Sequence, residues 1–194
     1  GRRPKAGGVG MRIGRAPYRR DPLVRRRLAL ALAAAEDRLL RAHGEAAAAM
    51  VRDVAHELPF ETTLAIYARL LGVPPADTRA VAVRALAMLG ETHSADTLAS
   101  PGPARDTSVL SRLLRRLRGR RNDDVRARIE HAALRAQRAL RQVYLAGAGD
   151  VIAALRGSAS PVEAVQVYID ALAIPPGWAE VIFHDALAGP EAAA

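Results

Sequence analysis

A chain of 194 residues, half of them apolar, has enough material for a hydrophobic core, and its formal net charge of +9 is high for an ordinary globular domain. The absence of cysteine excludes disulfides, thiolate nucleophiles and cysteine-ligated zinc or iron–sulfur centres. Aromatic residues are only 4% of the chain and alanine carries much of the apolar content, which favours closely packed helices over β-structure.

The first segment, residues 1–20, is an arm holding Arg2, Arg3, Lys5, Arg12, Arg15, Arg19 and Arg20 with no acidic residue. Its glycines and prolines interrupt any hydrophobic period, so it is expected to be extended and to lie along a phosphate backbone or another polyanion, with counterion release supplying the affinity. An arginine-rich, acid-free start also resembles a transit peptide, although the arm has no serine.

Residues 21–90 read as a first helical unit of four helices. Asp21 can cap a helix that has Pro22 in its first turn, and Gly44 is expected to stop it in a left-handed conformation, giving a helix over residues 22–43. A second helix is expected over residues 45–57, ending before Pro59, and a third over 60–71, where Leu64, Tyr67, Leu70 and Leu71 fall on one stripe and Gly72 follows. Val73-Pro74-Pro75 breaks that helix and begins a fourth, because a residue before proline is pushed out of helical geometry while proline suits a first turn.

Residues 91–121 are expected to be a linker containing a basic amphipathic helix. The helix is expected over residues 107–118: Val109, Leu110, Leu113, Leu114 and Leu117 form its apolar stripe, Arg112, Arg115, Arg116 and Arg118 cover the rest, and Arg120 and Arg121 follow it, a pattern that suits nucleic acid, anionic lipid or an acidic partner.

Residues 122–190 read as a second copy of the unit, at a gapless offset of 101 residues. The offset carries Tyr67, Leu71, Pro74 and Pro75 onto Tyr168, Leu172, Pro175 and Pro176, with conservative apolar pairs such as Leu28/Ile129, Val73/Ile174 and Val81/Ile182 around them. Helices are expected over residues 123–146, 149–156, 161–173 and 176–188, with Gly147-Ala148-Gly149 as a break between the first two. A unit of about 70 residues is small for independent stability, so the fold expected is all-α: a tandem four-helix duplication packed as one helical body.

Charge is segregated. The arm contributes +7, residues 21–90 +1, the linker +4 and residues 122–194 −3, which restores +9, so the excess lies in the segments that are not duplicated.

Motifs for catalysis are weak. The five histidines show no metal-ligand spacing, and none recurs at the offset. Gly90-Glu91-Thr92-His93-Ser94-Ala95-Asp96 gathers a base, a hydroxyl and acids, but triads are defined by spatial geometry and not by adjacency. Asn122, Asp123 and Asp124 suit a helix start better than a metal site, and Tyr67 and Tyr168 suit the core. Trp178, without a counterpart at the offset, is a candidate partner-binding residue.

The expectation is therefore a non-enzymatic scaffold or assembly subunit, with no metal and no cofactor. Its basic segments would dock on nucleic acid, RNA ahead of DNA, or on an acidic protein surface, as in a ribonucleoprotein with other protein subunits. The alternative is a protein-binding adaptor, a fragment of a larger regulator, that receives a partner in grooves between helices. The longest apolar run, Leu28 to Ala35, falls far short of the roughly 20 residues that cross a bilayer, and no secretory signal pattern is present, so a soluble or peripheral chain of the cytoplasm or an organelle interior is expected.

Overall fold

The computed structural model describes residues 20–90 and 120–188, with the side chains of residues 120–122 outside that set. Among the described residues there are six helices: α1 (Pro22–Val54), α2 (Phe60–Leu71), α3 (Pro75–Leu89), α4 (Arg120–Ala154), α5 (Pro161–Ala171) and α6 (Pro176–Ala188). No strand occurs among them, and none of the helices is long and apolar enough to cross a membrane.

Local chemistry sets the helix ends. Asp21 Oδ1 accepts from the backbone N–H groups of Leu23 (2.8 Å) and Val24 (3.3 Å), with Pro22 in the first turn. Ser160 and Glu163 form a reciprocal capping box at the start of α5, and the backbone and hydroxyl donors of Ser160 hold the Glu163 carboxyl below its usual range. At the C-terminus of α2 the N–H of Val73 reaches back to the Ala68 carbonyl (2.8 Å), with Gly72 left-handed at φ 67°. α5 ends the same way: Ile174 N–H donates to the Ile169 carbonyl (3.0 Å), but the left-handed residue is Ala173 at φ 47°.

Two expectations about these helices are corrected. Gly44 does not stop a helix, and Gly147-Ala148-Gly149 is not a break; α1 and α4 run through both positions, for 33 and 35 residues. Each half of the chain therefore has three described helices, not four. The reason for Gly44 is space: a Cβ there would stand 2.6 Å from the Cβ of Arg84 on α3. At Gly147 a Cβ would stand 2.5 Å from the Tyr168 hydroxyl on α5. Glycine in each place permits close helix contact, while the alanines around it maintain helical propensity.

The long helices α1 and α4 form the antiparallel spine. Arg38, midway along α1, pairs with Asp150 near the end of α4, while Arg128, early in α4, donates to the Asp53 carbonyl (2.8 Å) and the Glu57 carboxylate (2.6 Å) at the end of α1. Both spine helices bury small residues, Ala35, Ala47 and Ala48 on α1 and Ala132, Ala136 and Ala148 on α4. α3 lies along the second half of α1, and α5 and α6 pack on α4. One continuous core joins the two halves, from Val24, Met50 and Val81 to Val125, Leu140 and Ile182.

Candidate binding groove

Trp178 sits in the first turn of α6, delivered there by Pro175-Pro176. Its indole N–H donates to the carbonyl of Leu71 at 3.1 Å, one of the last-turn carbonyls of α2 that lack a partner within the helix. The indole ring also rests against Tyr144 of α4, with centroids 5.0 Å apart and planes tilted by 36°. Pro175 packs over Gly72, its ring 3.6 Å from where a Cβ would stand, an ordinary contact distance. One side chain thus ties the end of α2, the middle of α4 and the start of α6 together.

The three helices enclose a groove of about 640 Å³, open to solvent along one side. Around Trp178 its apolar surface is provided by Leu70, Leu134 and Val181, whose exposures of 47%, 52% and 37% mark them as uncovered despite their size. Arg69, Arg138 and Arg141 supply charge, and no carboxylate among the described residues lines the groove. Arg141 is engaged by Asp185 at 2.7 Å, and its hydrogen bond holds the Asp185 carboxyl below the usual range. Arg69 and Arg138 are exposed and have no hydrogen bond or ion pair among the described residues. A cationic, partly apolar concavity of this kind suits an anionic amphipathic group.

The other polar cluster is internal. His43 Nδ1 and Tyr67 Oη share a hydrogen bond of 2.8 Å, with the rings edge to face at 86°. Burial pushes the His43 imidazolium down from 6.5 to about 4 and the Tyr67 phenol far above its ordinary value, so both are neutral. With exposures of 2% and 0%, neither reaches solvent, and the pair is part of the packing. Tyr168, also buried, is pushed up to about 12, first by burial.

The other residues singled out from the amino-acid pattern scatter. Trp178 lies in the groove; Arg20 is an exposed turn residue; Arg120 and Arg121 fall in the first turn of α4, where only their backbone is described. Arg2, Arg3, Lys5, Arg12, Arg15, Arg19, Arg112, Arg115, Arg116 and Arg118 lie outside the described residues, as do His93 and its neighbouring hydroxyl and acids. Asp37 is held between Arg41 (2.6 Å) and Arg84 (3.0 Å), whose hydrogen bonds lower its carboxyl below the usual range. No group of three or more metal-ligating side chains occurs among the described residues.

Arg69, Arg138 and Leu134 carry no distinctive mark in the sequence. Their one local signal is an apolar residue four positions before an arginine on a helix, Leu134 and Arg138, a spacing shared by many solvated faces. Comparison with protein-family models, with curated proteins and with solved structures returned no match.

Proposed function

We propose that the chain is a duplicated helical scaffold that works by binding, not by catalysis, and that its folded body receives a protein partner in the groove around Trp178. The observation that carries this is the grouping of exposed Leu70, Leu134 and Val181 with exposed Arg69 and Arg138 on three helices pinned by one tryptophan. Large apolar side chains left uncovered beside a concavity commonly mark an interaction surface.

Duplication is supported by the spacing of the elements. α2 and α5 begin at Phe60 and Pro161, and α3 and α6 at Pro75 and Pro176, so both pairs of starts stand 101 residues apart. The two helix-ending turns, Val73 to Ala68 and Ile174 to Ile169, repeat at the same offset, and Tyr67 and Tyr168 are buried at 0% and 1%.

Affinity capture with the full chain and with a chain lacking residues 1–19 tests the groove. A partner held equally by both, and released by Leu134→Glu, agrees with the proposal; a partner lost only with the arm overturns it.

A second function is favoured by a separate observation. Arg25, Arg26 and Arg27 follow the basic arm into α1, exposed and without partners among the described residues, while the one nearby acid, Asp21, is committed to capping. Here the scaffold docks on a polyanion, RNA ahead of DNA. Binding of a 20-nucleotide RNA should then weaken steeply with salt and be largely lost without residues 1–19. Salt-insensitive binding rules this out.

A further inference from the structure

We infer that the occupant of the groove is an amphipathic helix of a protein partner, one large apolar side chain flanked by carboxylates about one turn away. This rests on the proposed groove function and adds the chemistry of what it takes. An all-helical body presents no unpaired strand edge among its described residues for strand addition, and a groove bounded by three helices suits helix-in-groove docking. The apolar anchor is set by Leu70, Leu134 and Val181 around the Trp178 ring: a Leu or Phe side chain placed there covers surface that the described residues leave in water.

The carboxylates are set by Arg69 on α2 and Arg138 on α4. Both reach the groove, neither has a partner among the described residues, and no acid among those residues lines the site to neutralise them. A basic helix would meet uncompensated like charge. A nucleic acid strand would use the arginines and leave the three aliphatic side chains facing hydrated phosphate. The open side of the groove fits a helix lying across it better than a sequestered small molecule, which takes an enclosed cavity.

The test is a selection from a displayed library of 16-residue helical peptides, carried out on the full chain. Wild type should enrich Leu or Phe with Asp or Glu three or four positions away. An Arg69→Glu/Arg138→Glu variant should bind the winning peptide about tenfold or more weakly and, when selected afresh, should enrich Lys and Arg instead. Both arginines are exposed, so the double variant is expected to fold, which its circular dichroism checks. Leu134→Glu should lose the peptide without altering helix content.

Peptides that depend on Leu134 but show no acidic preference, or a preference unchanged by the charge reversal, overturn the carboxylate chemistry and leave the groove standing. Enrichment of no peptide at all overturns both. Displacement of the peptide from the groove by a single-stranded RNA at equal concentration assigns the site to a polyanion and also overturns the inference.

Discussion

His43 Nδ1 and Tyr67 Oη stand 2.8 Å apart where α1 meets α2, a polar pair inside a largely apolar core. At the 101-residue offset their counterparts are Tyr144 and Tyr168, both buried. The hydrogen-bonded pair of one half thus stands, at that offset, against two buried phenols in the other.

The His43 pair makes stability depend on pH. Unfolded, the imidazole titrates near its ordinary 6.5; folded, burial lowers that to about 4. Between these values the unfolded chain binds a proton that the folded chain does not, so the contribution is full above pH 6.5 and is lost as pH falls toward 4, by roughly 3 kcal/mol in all. Urea unfolding from pH 7.5 to 4 should show the decline, and His43→Leu should flatten it. An unchanged slope in that variant would assign the pH dependence to other groups.

Helix existence is readable from the chain, because proline, Asp21 and the apolar stripe of residues 60–71 act locally. The expected starts at Pro22, Phe60, Pro75, Pro161 and Pro176 are the observed ones. Glycine as a stop holds at Gly72 and fails at Gly44 and at Gly147-Ala148-Gly149. A glycine that ends a helix and one that lets another helix approach look alike in sequence, and only the position of Arg84 or Tyr168 distinguishes them. The groove is legible only through Trp178, since Leu134 and Arg138 are exposed by the way α2 and α6 flank α4, and local spacing carries no record of that.

Three of the helical glycines, Gly44, Gly147 and Gly149, make contrasting predictions. Gly44→Ala should destabilise the fold by about 1–3 kcal/mol, because its Cβ would meet the Cβ and nearby backbone of Arg84. Gly149→Ala should instead stabilise it by about 0.5–1 kcal/mol: the site is exposed, helical and has nothing within 4 Å of a new Cβ. Gly147→Ala should behave like Gly44→Ala, through Tyr168. Thermal melts of the three variants check this, and a stabilised Gly44→Ala would mean that α1 and α3 do not approach as described.

Trp178 joins the halves through its hydrogen bond to Leu71 and packs on Tyr144 of its own half, two contacts that substitution can separate. Trp178→Phe retains contact with Tyr144 and gives up the bond to the Leu71 carbonyl, costing about 1 kcal/mol. Trp178→Ala also removes the ring, with an expected total of about 3 kcal/mol. As the sole tryptophan of the chain, it reports its own environment, and its emission should move to longer wavelength on unfolding. Equal, negligible losses in both variants would leave α6 anchored by something other than this side chain.

Ala173 occupies a backbone conformation that its counterpart fills with glycine. The turn after α2 uses Gly72 at φ 67°, and the turn after α5 repeats its hydrogen bond with Ala173 at φ 47°, the only non-glycine residue with positive φ among those described. A Cβ in the left-handed region crowds the following carbonyl, at a cost of about 1–2 kcal/mol. Ala173 is exposed, so removing its methyl group sacrifices no packing. Glycine also makes the unfolded chain more flexible, which offsets part of the gain. Ala173→Gly should therefore stabilise the protein by about 1 kcal/mol in urea unfolding, and Gly72→Ala should destabilise it by a similar amount. Opposite signs at these two positions are the signature of one turn made twice. If both substitutions destabilise, the strain at Ala173 is relieved by its surroundings and the two turns are not equivalent.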